Sequence, residues 1–234
     1  MSRLLIVVAS AQGLEGISAI LAQQCAARAA ANGTDCDWRI LAETPPFPLD
    51  ARFVSAAFTR PELRDAEMDN ALAYSNREIA ALREAQTLVI STPMYNFGMP
   101  GLLKSWFDQI IRPDETFEST GDSVSPYRGL LSCKRCVVLT VRGSTAFSPD
   151  GPVSEMNFLD AHLVAMLGLI GIDDVDIIDC PGVDDNPDGR EAVIAEAVER
   201  INALGPGFGS PDATTSGQCL SAPSHMRAGQ RFSI

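Results

Sequence analysis

The residues best suited to chemistry form the segment 93–97, Pro-Met-Tyr-Asn-Phe, which lies between two contrasting stretches of sequence. Before it, residues 87–91 form a short apolar run rich in β-branched side chains, which predicts a strand buried on both faces. After it, residues 100–111 repeat large apolar side chains at helical spacing. The segment therefore follows the carboxyl end of a strand, where open α/β sheets bind ligands. We predict that it is a cofactor-binding loop.

This segment, together with Leu-Lys-Ser-Trp-Phe-Asp at 103–108 and Thr-Phe at 116–117, resembles the family of FMN-dependent NADH azoreductases and NAD(P)H:quinone oxidoreductases, which has a flavodoxin-like fold. In that family the Met-Tyr-Asn-Phe turn lies against the isoalloxazine ring. The resemblance therefore implies that FMN contacts Pro93, Met94, Tyr95, Asn96 and Phe97. The residue types agree, because a tricyclic ring needs apolar flanks and main-chain donors at its polar edge. The alternative is that Tyr95 and Phe97 are ordinary core aromatics, but the surrounding strand, turn and helix favour a cofactor site.

A second segment, residues 10–18, supplies hydroxyl groups, a flexible turn and free amides at a predicted helix N-terminus, which are the ingredients of an anion site. The family holds the FMN phosphate with a serine directly after the first strand and with a short segment that opens the helix. The resemblance maps these onto Ser10, Gly16, Ile17 and Ser18. The family usually has a hydroxyl where Gly16 stands, and Glu15 adds a negative charge, so we expect weaker FMN binding than is typical. Ser18 could instead be the N-cap of the helix, a role compatible with phosphate binding.

A third loop follows the predicted fourth strand and contains Val141, Arg142, Gly143 and Ser144. It corresponds to the Ser-Arg-Gly-Gly segment of the family, which faces the pyrimidine end of the flavin. The resemblance implies that the Gly143 amide, helped by the charge of Arg142, stabilises negative charge in this region of the reduced flavin. Without the resemblance, residues 142–143 would be interpreted as a solvent-exposed turn. Three loops at the carboxyl ends of parallel strands favour a ligand site.

The resemblance implies an FMN-dependent oxidoreductase. It would take a hydride from NADH or NADPH at flavin N5 and pass two electrons to a quinone, azo or nitroaromatic compound by a ping-pong mechanism. No catalytic side chain is required, since the flavin carries the chemistry. The resemblance also implies a homodimer with clefts shared between the subunits. The alternative is a non-enzymatic flavoprotein, either a flavodoxin-type electron carrier or a redox sensor, which the strong acidity of the chain would suit.

Two positions depart from the aromatic residues that the family often places over the acceptor. Ser119 stands where a tyrosine is common, and Met166 stands where a phenylalanine is common. We expect both residues to line a substrate pocket with less aromatic wall than usual. The alternative for Met166 is a core position on a helix.

Composition and charge exclude several classes of partner. The chain has 234 residues, of which 46% are hydrophobic, which is enough for a substantial single core. Its 18 basic and 30 acidic residues give a net charge of −12, which disfavours nucleic acid and anionic membranes as partners. No apolar run approaches the roughly 18 residues of a membrane span, so we expect a cytoplasmic protein. The phosphates of FMN and NADH must therefore be held locally, by amides and hydroxyls.

Six scattered cysteines suggest a reducing compartment without a disulfide framework. Cys133 and Cys136 have the CxxC spacing found in zinc and redox sites. If the following strand begins at Cys133, however, the two thiols point to opposite faces of the sheet. Only His162 and His225 could supply imidazole ligands. We therefore predict no metal site.

The elements that must position these loops alternate along the chain. Apolar runs predict strands at 4–9, 36–40, 87–91, 136–141 and 175–179, and helical periodicity predicts helices at 18–32, 67–84, 100–111, 155–169 and 190–204. Residues 44–65 are expected to be irregular. The alternation predicts an α/β fold in residues 1–204, with a flavodoxin-like doubly wound five-stranded parallel sheet and helices on both faces. Residues 205–234, rich in Gly, Ser and Pro, are predicted to be a flexible C-terminal tail.

Overall fold

A five-stranded parallel sheet forms the centre of the molecule. The computed structural model describes residues 3–131, 134–185, 187–205 and 208. Its strands are β1 (Arg3–Val8), β2 (Asp35–Ile40), β3 (Thr87–Pro93), β4 (Phe117–Ser119), β5 (Tyr127–Gly129), β6 (Arg135–Val141) and β7 (Asp174–Cys180). The main sheet has the order β2-β1-β3-β6-β7, and β4 pairs with β5 in a separate antiparallel ribbon. The predicted flavodoxin-like order of the five parallel strands is confirmed.

The described residues contain six α-helices, five of which cover the two faces of this sheet. They are α1 (Ile17–Ala31), α2 (Ala51–Phe58), α3 (Ala66–Glu84), α4 (Gly101–Ile110), α5 (Phe158–Leu169) and α6 (Arg190–Asn202). Side chains of α1 and α6 pack on one face, and side chains of α3, α4 and α5 pack on the other. Because helices cover both faces, the inner strands are continuous apolar runs; residues 4–8 of β1 are fully buried. The edge strand β2 is more exposed, as its mixed sequence predicts.

The structure departs from the sequence prediction at two places. One was expected to be irregular, and the other was not assigned to any element. Residues 44–65 contain the helix α2, whose first turn is capped by the Asp50 carboxylate accepting from the Phe53 amide at 2.8 Å. Phe53 and Ala56 pack this short helix against α3. The β4–β5 ribbon was also missed, because strands of three residues are too short to show an alternating pattern.

The boundary of α5 also differs from the prediction. The helix begins at Phe158, after a short 3-10 turn at Ser154–Met156, rather than at residue 155. Asn157 sets this start, because its side chain accepts from the Asp160 amide and caps the first turn. The start of α5 therefore depends on a side chain that lies beside the loops at the sheet edge.

The cysteines that the structure describes are unpaired thiols. Cys25, Cys136 and Cys180 are fully buried, and Cys36 is partly buried. Burial raises the pKa of the Cys25 thiol to about 12 and that of the Cys180 thiol to about 11. Strand β6 begins at Arg135, whereas Cys133 lies outside the described residues. Among the described residues no cluster of side chains could hold a metal ion.

The predicted tail at 205–234 lies outside the described residues except for Gly205 and Phe208. Phe208 is fully buried in the core between the sheet and helices α1 and α6, and its carbonyl accepts from the Asn32 amide side chain at 3.3 Å. Packing on this face therefore extends beyond the predicted boundary at residue 204. None of the helices in the described part of the chain combines the length and hydropathy that a membrane crossing requires.

Candidate functional site

The three predicted loops meet at the carboxyl edge of the sheet. The register pairs Pro93 of β3 with Val141 of β6, and the Met94 amide continues the pairing by donating to the Val141 carbonyl at 2.9 Å. On the other side of β3, the Ala9 amide donates to the Ser91 carbonyl at 2.9 Å. The ends of β1, β3 and β6 are therefore adjacent, and the loops that follow them open on one edge.

The segment after β3 is a tight turn with two residues at its tip. Tyr95 and Gly98 exchange two backbone hydrogen bonds of 3.0 Å, and both Asn96 and Phe97 have positive φ angles, of 48° and 69°. Asn tolerates this left-handed conformation, whereas a bulky residue such as Phe is strained by it. Tyr95 and Phe97 are each 39% exposed, so they are not core aromatics. The turn presents them at the surface of the sheet edge.

A cleft of about 370 Å³ lies between this turn and the loop after β6. One wall consists of Met94, Asn96 and Phe97; the other consists of Gly143, Ser144, Phe147, Asp184 and Asp185. The rings of Phe97 and Phe147 meet at this cleft, with centroids 5.5 Å apart and planes tilted by 58°. The structure therefore brings the predicted ring-binding turn and the predicted pyrimidine-facing loop to opposite sides of one cavity.

The loop after β6 can offer a backbone donor to this cleft. The Gly143 carbonyl accepts from the Asp184 amide at 2.9 Å, and no described residue accepts a hydrogen bond from the Gly143 amide. A Cβ atom on Gly143 would lie 2.7 Å from the Asp184 carboxylate. The segment after β7 therefore packs on this loop through the Asp184 backbone, and the Gly143 amide is free for a ligand.

Asp185 holds the next part of the same loop. Its carboxylate accepts from the Thr145 amide at 2.7 Å and from the Thr145 hydroxyl at 2.8 Å. These hydrogen bonds lower the pKa of Asp185 below its usual range. Sequence reasoning missed Phe147, Asp184 and Asp185. Applying the rule that ligands bind beyond the carboxyl ends of strands to the last strand, β7, would have indicated the two aspartates.

The structure corrects the predicted role of Arg142. Its side chain is fully buried, and its Nη2 atom donates to both carboxylate oxygens of Asp160, at 2.5 and 2.6 Å. Its Nη1 atom forms an ion pair with Asp179. Two carboxylates therefore compensate its charge inside the protein, and that charge is not directed at the cleft. Val141 is also buried, and its carbonyl serves the backbone pairing with Met94.

The segment after β1 has the features of an anion site. The buried Ser10 hydroxyl accepts from the Gln12 amide at 3.1 Å, and Gly16 is the N-cap of α1 without a capping side chain. A Cβ atom on Gly16 would lie 2.9 Å from the Ser10 hydroxyl, so the glycine allows the close packing of this turn. The amides of Ile17 and Ser18, in the first turn of α1, have no partner within the helix. They remain available to an anion.

Ser18 is the second residue of α1 and therefore is not its N-cap. Its side chain is almost fully buried, and its hydroxyl makes no hydrogen bond to another described residue. Its carbonyl accepts from the Ser91 hydroxyl at 2.5 Å, which ties the start of the helix to β3. The alternative of a simple capping role is thereby excluded by the geometry.

The structure does not bring the two predicted pocket residues to the cleft. Ser119 is exposed at the end of β4, and Met166 is only 9% exposed within the core beneath α5. Neither residue lines the cleft described above. Met166 faces the sheet because it shares the buried stripe of α5 with Leu163 and Leu167. For Met166 the core interpretation is therefore correct.

Comparison with known proteins agrees with this architecture. A family model described as a flavodoxin-like fold matches residues 2–204. The chain is 39% identical over 208 residues to an FMN-dependent NAD(P)H:quinone oxidoreductase of Pseudomonas aeruginosa, covering 87% of this chain and 98% of that protein. It is 36% identical over 203 residues to an FMN-dependent NADH:quinone oxidoreductase of Hyphomonas neptunium, covering 86% and 94%.

Solved structures show the same fold. An azoreductase of Bacillus anthracis superposes with a TM-score of 0.77 at 21% identity, covering 86% of this chain and 97% of that one. An FMN-dependent NADH-azoreductase from the same species, solved in complex with FMN, superposes with a TM-score of 0.75, also at 21% identity, covering 87% and 99%.

Proposed function

The chain belongs to the family with the flavodoxin-like fold that includes the FMN-dependent NADH:quinone oxidoreductases; from this premise we propose that it is an FMN-dependent oxidoreductase. It transfers reducing equivalents from NADH or NADPH to quinone or azo acceptors. The observation that carries the proposal is the cleft in which the turn at 94–97 faces the loop at 143–144. Relatives of 39% and 36% identity, aligned over almost their whole length, are named as FMN-dependent NAD(P)H:quinone and NADH:quinone oxidoreductases.

The residues present fit FMN in three respects. The turn after β1 and the first amides of α1 offer unpaired donors to a phosphate, and the Ser18 hydroxyl is free of other described partners. Met94 and Phe97 supply apolar surface for a planar ring. The Gly143 amide supplies a donor for the polar edge of that ring. When bound, FMN supplies a two-electron carrier that accepts a hydride and returns it to an acceptor.

The side chains and backbone of this protein then have binding and positioning roles. The strained turn at 95–98 holds Phe97 against the cleft, where its ring contacts Phe147 of the opposite wall. Among the described residues we assign no side chain as an obligatory acid or base. Donor and acceptor would use one cleft in turn, so we propose a ping-pong mechanism with quinone, azo and nitroaromatic acceptors. Parallel lines in double-reciprocal plots at several acceptor concentrations would support it, and intersecting lines would contradict it.

The proposed function is tested directly by flavin binding and its reduction by NADH. The purified protein is incubated with FMN and freed of excess flavin, and its visible spectrum is then recorded before and after anaerobic addition of NADH. We expect a flavin spectrum that NADH bleaches and that a quinone restores. Absence of bound flavin after this treatment would refute the proposed function.

We also propose that the protein is a homodimer, as the resemblance implies. Sedimentation should then give twice the chain mass of 25.0 kDa. A mass of one chain at micromolar concentration would contradict this.

An electron carrier is the second candidate, because a net charge of −12 suits electrostatic docking to a redox partner. Photoreduction separates the two functions. A carrier should accumulate a stable one-electron-reduced state, whereas the proposed enzyme should pass directly to the two-electron-reduced state.

A further inference from the structure

A charged side chain lies buried directly beneath the cleft. Arg142 is fully buried, although it immediately precedes the cleft residues Gly143 and Ser144. A buried guanidinium is stable only when it is paired, and removal of one partner from such a pair is costly. Both partners of Arg142 come from elements that are distant in sequence, namely Asp160 of α5 and Asp179 of β7.

The ion pair between Arg142 and Asp179 adds to backbone hydrogen bonds that already hold the loop after β6 to β7. The Arg142 amide donates to the Cys180 carbonyl at 3.1 Å, and the Arg142 carbonyl accepts from the Val183 amide at 3.1 Å. The Asp179 carboxylate also accepts from the Thr140 hydroxyl at 3.1 Å. This side of the cluster therefore fixes the loop after β6 to its neighbouring strand β7.

Asp160 makes a different connection. It lies in the first turn of α5, where the Asn157 side chain donates to its carboxylate at 2.9 Å. The residue between them, Phe158, donates its amide to the Phe97 carbonyl at 3.0 Å. A continuous path of hydrogen bonds and one helical turn therefore runs from Arg142, through Asp160 and Phe158, to the tip of the turn on the opposite wall of the cleft.

We propose that Arg142 and Asp160 form a clamp, defined by their ion pair, that fixes the distance between the two walls of the cleft before a flavin binds. Arg142 is thus a positioning residue: its side chain contacts no ligand, while its neighbour Gly143 presents the amide. The geometry supports this role because Nη2 meets both oxygens of one carboxylate, which restricts the position of the side chain. The inference rests on the proposed function for the identity of the ligand, but the clamp itself is a property of the ligand-free protein.

A second arginine–aspartate pair, which is more exposed than the Arg142–Asp160 pair, offers a control. At the opposite end of β6 and β7, Arg135 donates to the Asp176 carboxylate from Nε at 3.1 Å and from Nη2 at 2.5 Å. This pair joins an arginine of β6 to an aspartate of β7, and it lies at the end of the strands away from the cleft. Asp160→Ala tests the clamp and Asp176→Ala controls for the loss of an arginine–aspartate pair. Asp160→Asn, which keeps the shape and removes the charge, is the milder second variant.

Hydrogen–deuterium exchange of the ligand-free proteins is the first measurement. In Asp160→Ala we expect faster exchange, by about tenfold, in peptides covering both 93–98 and 142–147, because the substitution removes both charge-assisted hydrogen bonds from Arg142 to Asp160. Asp160→Asn should show a smaller change in the same peptides, and Asp176→Ala should leave them unchanged. Exchange that rises evenly over the whole sheet, or in only one of the two loops, would overturn the clamp.

Flavin binding is the second measurement. Because the clamp acts at the ring end of the cleft, Asp160→Ala should weaken FMN and riboflavin by the same factor, of about tenfold. Weakening confined to FMN, or equal affinities in Asp160→Ala and Asp176→Ala, would overturn the proposal. If the unaltered protein binds no flavin, the proposed function fails, while the exchange measurement still decides whether the clamp exists.

Discussion

Replacement of Ser18 by alanine tests the phosphate site most directly. Ser18 occupies the second position of α1, its side chain is only 2% exposed, and its hydroxyl makes no hydrogen bond to another described residue. The N-cap is Gly16, so Ser18→Ala removes no cap. Alanine also has the higher helix propensity, by about 0.5 kcal/mol. We therefore expect the free energy of unfolding to stay constant or to rise slightly.

The effect on flavin binding should be large and selective. A hydrogen bond to a charged group contributes about 1.5–3 kcal/mol. Loss of the Ser18 hydroxyl should therefore raise the dissociation constant of FMN by roughly 10- to 150-fold. Riboflavin has no phosphate, so its dissociation constant should change by less than about twofold. Flavin fluorescence titrations with both ligands give the two constants in one experiment.

The controls for this prediction are available in the same chain. Ser55→Ala changes an exposed helical serine of α2, remote from the sheet edge, and should alter neither constant. Ser18→Thr keeps the hydroxyl and should recover most of the FMN affinity. Equal weakening of FMN and riboflavin by Ser18→Ala would refute the reasoning, because it would place the effect in the helix rather than at the phosphate.

Three further predictions concern the walls of the cleft. Phe97→Gly should relieve the left-handed strain at φ 69°, about 1–2 kcal/mol, but also remove the ring contact with Phe147, about 0.5–1.5 kcal/mol, so Tm should change by less than about 4 °C while flavin binding weakens; unchanged flavin binding would contradict the placement of Phe97 in the flavin site. Met166→Phe should overpack the core beneath α5 and lower the free energy of unfolding by about 1–3 kcal/mol in denaturant titrations, without faster turnover of azo acceptors. Faster turnover at unchanged stability would instead indicate that Met166 lines the acceptor pocket. Hydrogen bonds from Thr145 lower the pKa of Asp185 in the folded state. The ionised carboxylate therefore stabilises the fold above the unfolded-state pKa of about 3.9, and this stabilisation is lost as the pH falls through the lower folded-state pKa. Asp185→Asn should therefore lower stability at neutral pH and flatten the acid limb of an unfolding profile below about pH 4; an unchanged acid limb would contradict this.

The parts of this fold that the sequence predicts are those determined by local pattern. The apolar runs at 87–91 and 136–141 are strands because helices cover both of their faces, and the loops after them meet because parallel strands end at one edge. The turn at 93–97 was identified by its position after such a strand. Local pattern was therefore sufficient for the sheet and for the turn that forms one wall of the site.

The parts that the sequence did not predict depend on tertiary contacts. Arg142 was expected to direct its charge at the ligand, because nothing in the neighbouring sequence shows that Asp160 and Asp179 will lie beside it. Met166 was placed in a pocket by resemblance, whereas the orientation of α5 turns it to the core. Helix α2 did carry a local signal, the cap Asp50, but the prolines before it and its short length obscured the helical pattern.

The burial of three thiols has a consequence for the proposed function. Quinones are electrophiles that add covalently to thiolates, and only the ionised form of a cysteine reacts rapidly. Burial raises the pKa of Cys25 to about 12, so its thiol stays protonated at neutral pH, and the side chain is fully buried as well. Cys136 and Cys180 are equally buried, and burial raises their pKa values too. Within the described part of the chain, the fold thus keeps these nucleophiles protonated and out of reach, so repeated turnover should not arylate them.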